Sequence, residues 1–533
     1  MAMTDRREFL KCVLAAGPAL ATGSWYRGFA QTRSTGPAKV VLDATRTRAD
    51  LDRRLLGSFL EHLGRAVYGG VYEPGSPLAD ANGMRKDVIE EMRTLHVPIV
   101  RYPGGNFVSG YQWIDGVGPK DKRPRVLDRA WNTVDSNQFG TNEFIAWSKQ
   151  VGTEPLLAVN LGSGTPENAA ALVEYCNVES GTRWSDLRRQ HGIAAPHNVK
   201  FWCLGNEMDG RWQIGHMTAG AYGLKAADTA RQIRAVDRSV RLIACGSSSP
   251  SMQTYLAWDR EVLEQCYDEV DALSLHRYYN NTTETNGDTS RYLAMNLDME
   301  RQIQEIAAVC DYVRGLRKSA KRLWLSFDEW NVWYRERDGD GKGHEAPKLL
   351  EEVYNLKDAL LVGGLINTLV RHADRVRIAC LAQIINVIAP LVTNKQGVLR
   401  QSIYYPYAWA LRHARGRVVD LLLESESYEV PRLGLVPVVD VAATIDPATG
   451  EQCILMLNRD LSNEREVAVT WPGLAPTRVL GLETLTGADL KASNSFEQPK
   501  RVAPRQLDAP KAGAKMTFKL PARSYTAARL ATA

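Results

Sequence analysis

Residues Leu323–Tyr334 read LWLSFDEWNVWY: a short apolar run ending in two adjacent carboxylates, Asp328 and Glu329, which Trp330, Trp333 and Tyr334 then crowd. A nearly unbroken apolar run of this length is the signature of a strand covered on both faces. Ionised carboxylates among aromatic rings are costly unless partners hold them, so the end of this strand carries either a polar network or a chemical task.

The same rhythm recurs along the chain. LLGSFLEH (55–62), VPIVRYPGG (97–105), EPLLAVNLG (154–162), VKFWCLGNE (199–207), RLIACGSS (241–248), VDALSLHRYY (270–279), KRLWLSFDEWN (321–331) and VRIACLAQIIN (376–386) are apolar runs that end in polar residues. Helical patterns such as MRKDVIEEMRTLH (84–96), AYGLKAADTARQIRAVD (221–237) and DALLVGGLINTLVRHA (358–373) lie between them. Covered strands separated by helices pair in parallel, and eight such units predict a (β/α)8 TIM barrel in an α/β fold. The alternative, an open doubly wound sheet, usually carries a Gly-rich phosphate turn after its first strand. LEHLGRAVYGG (60–70) contains no G-x-G-x-x-G.

Beyond about residue 400 the pattern becomes alternating β segments and turns, with Asp446-Pro447-Ala448-Thr449-Gly450 marking a hairpin. The expected division is a signal segment over 1–30, then a linker and N-terminal strand joining a β-sandwich over 31–54. The catalytic barrel follows over 55–395, and a C-terminal all-β sandwich domain over 396–533.

Bulk properties narrow the function. The 533-residue chain has a formal net charge of +5 and no sustained Lys/Arg block with interleaved aromatics, which argues against a nucleic-acid partner. TDRREFLKCVLAAGPALATG (4–23), with Arg6-Arg7 before a modest apolar segment, reads as a twin-arginine export signal cut near Ala30. On that reading the mature protein is periplasmic or secreted and not membrane-bound. Of eight cysteines, seven follow the signal at scattered spacings, which fits buried free thiols. No C-x-x-C, H-E-x-x-H or EF-hand loop points to a metal.

In a barrel of this kind the chemistry sits at the carboxyl ends of the strands. Two glutamates stand there, Glu207 in LGNEMDG and Glu329 in FDEWN, after the fourth and seventh runs. Carboxylates facing each other across a barrel mouth are what glycoside hydrolysis requires, one as proton donor and one as nucleophile or base. Arg101, Asn206 and Tyr278 are donors that would keep a nucleophile ionised. Arg101 could instead be an ion-pair partner of Glu61, and His276 is either an orienter of a carboxylate or a core histidine. Trp131, Trp212 and Trp333 are either stacking platforms for sugar faces or apolar cover. Arg211, after LGNEMDG, and Arg277, in SLHRYYNN, add positive charge beside these motifs.

The strings SFLEHLGRAVYGGVYEP, VRYPGGNFVSGYQWIDGVGP, FGTNEFIAW, WCLGNEMDG, SLHRYYNN, LSFDEWNVWY and RIACLAQIINVIAPLVT together resemble glycoside hydrolase family 51, whose bacterial members are chiefly α-L-arabinofuranosidases. The resemblance implies a retaining enzyme built as a barrel with a β-sandwich to which both chain ends contribute. It assigns Glu207 as acid/base and Glu329 as nucleophile. Glu61, Arg101, Asn106, Asn206, His276, Tyr278 and Gln383 would bind or orient the arabinose unit, with Trp131 and Trp333 lining the pocket. The implied partner is an arabinofuranose-containing oligo- or polysaccharide, and the implied assembly is a homo-oligomer, often a hexamer. No cofactor is expected, since both halves of the reaction use side chains and water. Related alternatives are a β-glucanase or β-xylosidase of the same family, or a non-catalytic polysaccharide-binding protein.

Overall fold

The computed structural model describes residues 36–335 and 341–532. The segment read as an export signal lies outside them.

Each of the eight apolar runs forms one strand of a closed, all-parallel barrel: β1 (Gly57–Phe59), β2 (Ile99–Tyr102), β3 (Glu154–Val159), β4 (Phe201–Leu204), β5 (Arg241–Ala244), β6 (Ala272–Tyr279), β7 (Trp324–Val332) and β8 (Val376–Leu381). Neighbours in the barrel are neighbours in the chain, and the ring closes through Cys380 opposite Gly57. Val100, Leu156, Leu204, Ile243, Leu273, Leu325 and Ile378 are all buried, as expected where the interior is filled by side chains and helices cover the outside.

The outer helices show how that cover is made. Helix Lys86–Leu95 buries Val88, Ile89, Met92 and Leu95, a single apolar stripe with charged residues opposite. Helix Leu356–Arg371 is different, with nearly every residue buried. Its second face is covered because the β domain packs there. Gly363 lies at that contact, where a Cβ would stand 2.5 Å from the Tyr525 ring.

The β domain is two packed sheets. One has the order Thr47–Asp50, Arg417–Val419, Val439–Ile445, Glu451–Asn458, Ser524–Ala531, Arg478–Thr486, Arg505–Gln506; the other has the order Leu422–Glu424, Ala38–Val41, Arg465–Thr470, Lys515–Leu520. Strands from before the barrel thus complete sheets formed after it. Val40, Val441, Ile454, Val469, Phe518 and Leu530 meet between the sheets. Helix Tyr404–His413, although it follows the barrel strands, belongs to the barrel's outer layer, with the Tyr407 hydroxyl donating to the carbonyls of Leu56 and Gly57.

A buried charge network joins the two parts. Asp440, with no exposed surface, accepts from Arg371 Nη1 at 3.0 Å and Asn367 Nδ2 at 2.8 Å through Oδ1. Its Oδ2 accepts from Arg459 Nη2 at 3.1 Å and Asn296 Nδ2 at 3.2 Å. The two guanidinium groups hold the Asp440 carboxyl well below the usual carboxylate range against the cost of its burial.

Candidate active site

In a regular strand Asp328 and Glu329 would face opposite sides of the sheet. The register of β7 changes where they sit. Ser274 pairs with Ser326 and His276 with Glu329, so two steps along β6 oppose three along β7. The other edge shows the same excess, with Phe327 opposite Ala379 and Trp330 opposite Leu381. A β-bulge of this kind re-aims side chains, and here it brings both carboxylates to one cluster.

Arg101, at the end of β2, ties that cluster together. Its Nη1 lies 2.6 Å from Glu329 Oε1, its Nη2 donates to Asn206 Oδ1 at 2.7 Å, and its Nε stands 3.6 Å from Asp328 Oδ2. Asp328 Oδ1 also faces His276 Nε2 at 3.2 Å and accepts from Ser274 Oγ. Burial opposes ionisation of Asp328, but Arg101 and His276 overcome it and hold the carboxyl down at about 2. Tyr278 donates to Glu329 Oε2 at 2.9 Å. Burial and the Glu329 charge push its phenol well above the ordinary value, so it stays a donor.

Glu207 follows β4 through a tight turn. Gly205 has φ +92° and Glu207 itself φ +43°, an uncommon conformation for a residue with a side chain and one that clusters at functional sites. Its Oε1 lies 2.9 Å from His276 Nδ1, and its Oε2 accepts from Trp212 Nε1 at 2.7 Å. One carboxylate oxygen of Glu207 and one of Glu329 lie within 4.8 Å of each other. His276 Nδ1 also stands 3.6 Å from Glu329 Oε2. Burial opposes the charge on His276, and Glu329, Asp328 and Glu207 outweigh it, raising the imidazole to about 10.

Among the described residues, no cation pairs with Glu61, which follows β1. Its Oε1 accepts from the Phe107 amide and from Trp131 Nε1, each at 2.9 Å, and its own amide donates to Gln383 Oε1 at 2.8 Å. Burial raises the Glu61 carboxyl, and although the amide and indole donors resist, the charge of Glu329 contributes to a value of about 8. Gly104, at φ +120°, lets the RYPGGN turn pass this group, since a Cβ there would stand 2.4 Å from Glu61 Cβ. Asn106 opens the short helical turn Asn106–Gly110 and is half-buried at the same rim.

Trp131 is carried by the hairpin Val126–Asp128 and Thr133–Asp135, with the Asp128 carboxylate accepting from the amides of Ala130 and Trp131. Trp333 packs edge-on against Tyr278, the ring centroids 5.2 Å apart, and Arg335 covers it at 4.9 Å.

The sequence-predicted residues therefore converge on one rim, but not with every partner expected. Arg101 pairs with Glu329 and Asp328 rather than with Glu61. Arg277 binds Asp298 at 2.9 Å and Glu284 at 2.7 Å, and Arg211 is exposed. Trp212, 53% exposed, is the indole that touches Glu207, a contact the sequence does not reveal. Two carboxylates this close, one buried and one half-buried at the mouth of a TIM barrel among hydroxyl, amide and indole donors, define a glycoside hydrolase.

Comparison with known proteins agrees. Residues 91–297 match the family description "Alpha-L-arabinofuranosidase 1 domain" and residues 328–524 "Alpha-L-arabinofuranosidase C-terminal domain". The chain is 46% identical over 471 residues to "Intracellular exo-alpha-(1->5)-L-arabinofuranosidase 1" of Bacillus subtilis, covering 88% of this chain and 93% of that protein. A Halalkalibacterium halodurans protein named "Intracellular exo-alpha-(1->5)-L-arabinofuranosidase" is 47% identical, covering 86% and 92%. The structure superposes with a TM-score of 0.89 on a family 51 α-L-arabinofuranosidase from Bifidobacterium longum at 38% identity, covering 93% of this chain and 100% of that one. The chain belongs to glycoside hydrolase family 51, together with the α-L-arabinofuranosidases it matches.

These relatives also correct one expectation. The periplasmic or secreted location rested on Arg6-Arg7 and a modest apolar segment, both outside the described residues. Relatives covering 88% and 86% of the chain are named intracellular, which contradicts a periplasmic or secreted location.

Proposed function

We propose that the protein is a retaining, exo-acting α-L-arabinofuranosidase that removes terminal arabinofuranose from arabinan, arabinoxylan or their oligosaccharides by double displacement. Glu329 is the nucleophile and Glu207 the acid/base. The observation that carries the reading is the approach of one oxygen of Glu207 to within 4.8 Å of one oxygen of Glu329. Retaining pairs stand about 5–5.5 Å apart, whereas inverting pairs need about 6.5–9.5 Å to admit a water.

The partners support the division of roles. Glu329, 5% exposed, is fixed by Arg101 on one oxygen and Tyr278 on the other, which aim its carboxylate at one point of the barrel mouth. Glu207 lies nearer the rim under the exposed Trp212, where a leaving group would depart. Asn206, fixed by Arg101, is set to bind a sugar hydroxyl beside the reacting carbon. In the first step Glu329 attacks the anomeric carbon while Glu207 protonates the departing oxygen; in the second Glu207 deprotonates the water that releases arabinose with its configuration retained. Glu61, Asn106, Trp131, Trp333 and Gln383 complete the sugar pocket.

Two relatives are named for exo action on α-(1→5)-linked arabinofuranose, which supports that linkage as the substrate here. The proposal includes a catalytic unit over 55–395 to which the later helix Tyr404–His413 is added, a β unit made of the described strands before residue 55 and after that helix, and self-association, which light scattering of the purified protein measures. The test of function is a comparison of rates on nitrophenyl α-L-arabinofuranoside, nitrophenyl β-xyloside and a soluble β-glucan. Preference for the arabinofuranoside, with arabinose released from α-(1→5)-arabino-oligosaccharides, is the expected result. Preference for the xyloside or glucan would overturn it.

A further inference from the structure

Among the described residues, His276 faces both glutamates and the third carboxylate of the cluster. Its Nδ1 stands 2.9 Å from Glu207 Oε1 and 3.6 Å from Glu329 Oε2, and its Nε2 stands 3.2 Å from Asp328 Oδ1 and from Ser274 Oγ. The ring is buried, and Gln302 Nε2 holds its backbone carbonyl at 3.0 Å. A position equidistant from no single partner, but within reach of two groups that exchange charge, needs a reason beyond packing.

We propose that His276 is a doubly protonated positioning residue whose Nδ1–H is shared by Glu207 and Glu329, and that this hydrogen bond follows the negative charge from one carboxylate to the other during the reaction. The inference rests on the retaining reading above and extends it.

Before reaction the cluster holds the cations Arg101 and His276, the anions Asp328 and Glu329, and a neutral, protonated Glu207. In the first step the Glu207 O–H bond breaks and its proton goes to the glycosidic oxygen. The bond from that oxygen to the anomeric carbon breaks with its electron pair staying on oxygen, and Glu329 supplies the pair for the new ester bond. Glu329 is then neutral and Glu207 anionic, so the cluster's total charge is unchanged. A fixed cation between the two groups stabilises both states equally well in sum and differs only in which oxygen it serves. In the second step water bonds to the anomeric carbon, its proton returns to Glu207, and the ester electrons return to Glu329.

The doubly protonated ring has a second consequence. A neutral ring donating through Nε2 to Asp328 would present a bare Nδ1, which would take the acid proton on Glu207 Oε1, pointing away from a leaving group. An imidazolium cannot accept a hydrogen bond, so it leaves the proton on Oε2, the oxygen that faces Trp212 and the rim. The carboxylates around the ring favour its charge, in agreement with the geometry.

The test uses the full-length protein with His276→Gln and His276→Asn, each checked for folding by its melting curve. The readout is the pH profile of kcat/KM on nitrophenyl α-L-arabinofuranoside. Loss of a positive charge that faces both glutamates moves both limbs of the bell to higher pH, by about one unit or more. The rate at the optimum falls by roughly 10²-fold. A variant that loses rate while both limbs stay in place would show a merely structural role and overturn the proposal. Nitrogen-15 spectra of histidine-labelled wild type, with His276→Gln identifying the signal, give a readout independent of turnover. Both ring nitrogens protonated at pH 7 supports the proposal, and a neutral ring defeats it. Failure of wild type to cleave any arabinofuranoside would defeat the functional reading, and the spectrum would still decide the state of the ring.

Discussion

Arg101 Nη1 lies 2.6 Å from Glu329 Oε1, and the same guanidinium holds Asn206 and faces Asp328. One buried cation therefore joins the ends of β2, β4 and β7. Removing it leaves two buried carboxylates short of a partner. We predict that Arg101→Met destabilises the fold by about 3–5 kcal/mol, the usual cost of breaking a buried pair. Arg101→Lys cannot reproduce the fork that reaches all three groups, and it loses most activity on an aryl arabinofuranoside while melting closer to wild type. Paired melting and rate measurements check this.

Glu61 gives a pH signature. Its carboxyl is raised to about 8 by burial and by Glu329. A raised carboxyl binds its proton more tightly folded than unfolded, so its effect on stability is an unfavourable one that grows as pH rises from about 4 through about 8. Glu61→Gln mimics the protonated form. The melting temperature of Glu61→Gln minus that of wild type becomes more positive between pH 5 and pH 9, as read by calorimetry.

Asp440 has the opposite sign. Its carboxyl is depressed by Arg371 and Arg459, and Glu300, also beside Arg371, is lowered to about 2. Such groups stabilise the fold above the ordinary carboxylate range, and the contribution is lost as pH falls below about 4. Asp440→Asn costs about 3–5 kcal/mol near neutral pH. Denaturant titrations at pH 7 and pH 3 should show the gap from wild type narrowing in acid.

Gly363 reports on the junction of barrel and β domain. In an isolated helix, alanine would be better than glycine by about 1 kcal/mol. Here its Cβ would stand 2.5 Å from the ring of Tyr525, which is buried and anchored through its hydroxyl to Asn367. Overpacking costs about 1–3 kcal/mol, so Gly363→Ala lowers the denaturation midpoint instead of raising it.

The barrel was legible because its strands are buried on both faces and so read as apolar runs, each ending at the rim where Glu207 and Glu329 stand. Their pairing partners were not legible. Strand alternation sends Asp328 away from Glu329, and only the bulge in β7 brings the two together. Arg101 was recognised as a donor, but its choice of Glu329 over Glu61 depends on distances across the barrel that no spacing encodes. Trp212 reaches Glu207 because the chain turns back at Gly210, and the aromatic by itself gave equal reason to expect a loop cover. Helix Tyr404–His413 looked like part of the β region by position, while its buried Tyr407 and Trp409 belong against the barrel.

The division of labour between the glutamates is tested most directly by azide rescue on an aryl α-L-arabinofuranoside with a good leaving group. In Glu207→Ala the ester on Glu329 still forms, and azide attacks it to give the α-arabinofuranosyl azide with retained configuration. In Glu329→Ala azide attacks the substrate itself and gives the β-azide. The account predicts that pair of products, assigned by NMR. The reverse pairing, or rescue of neither variant when both are folded, would contradict it.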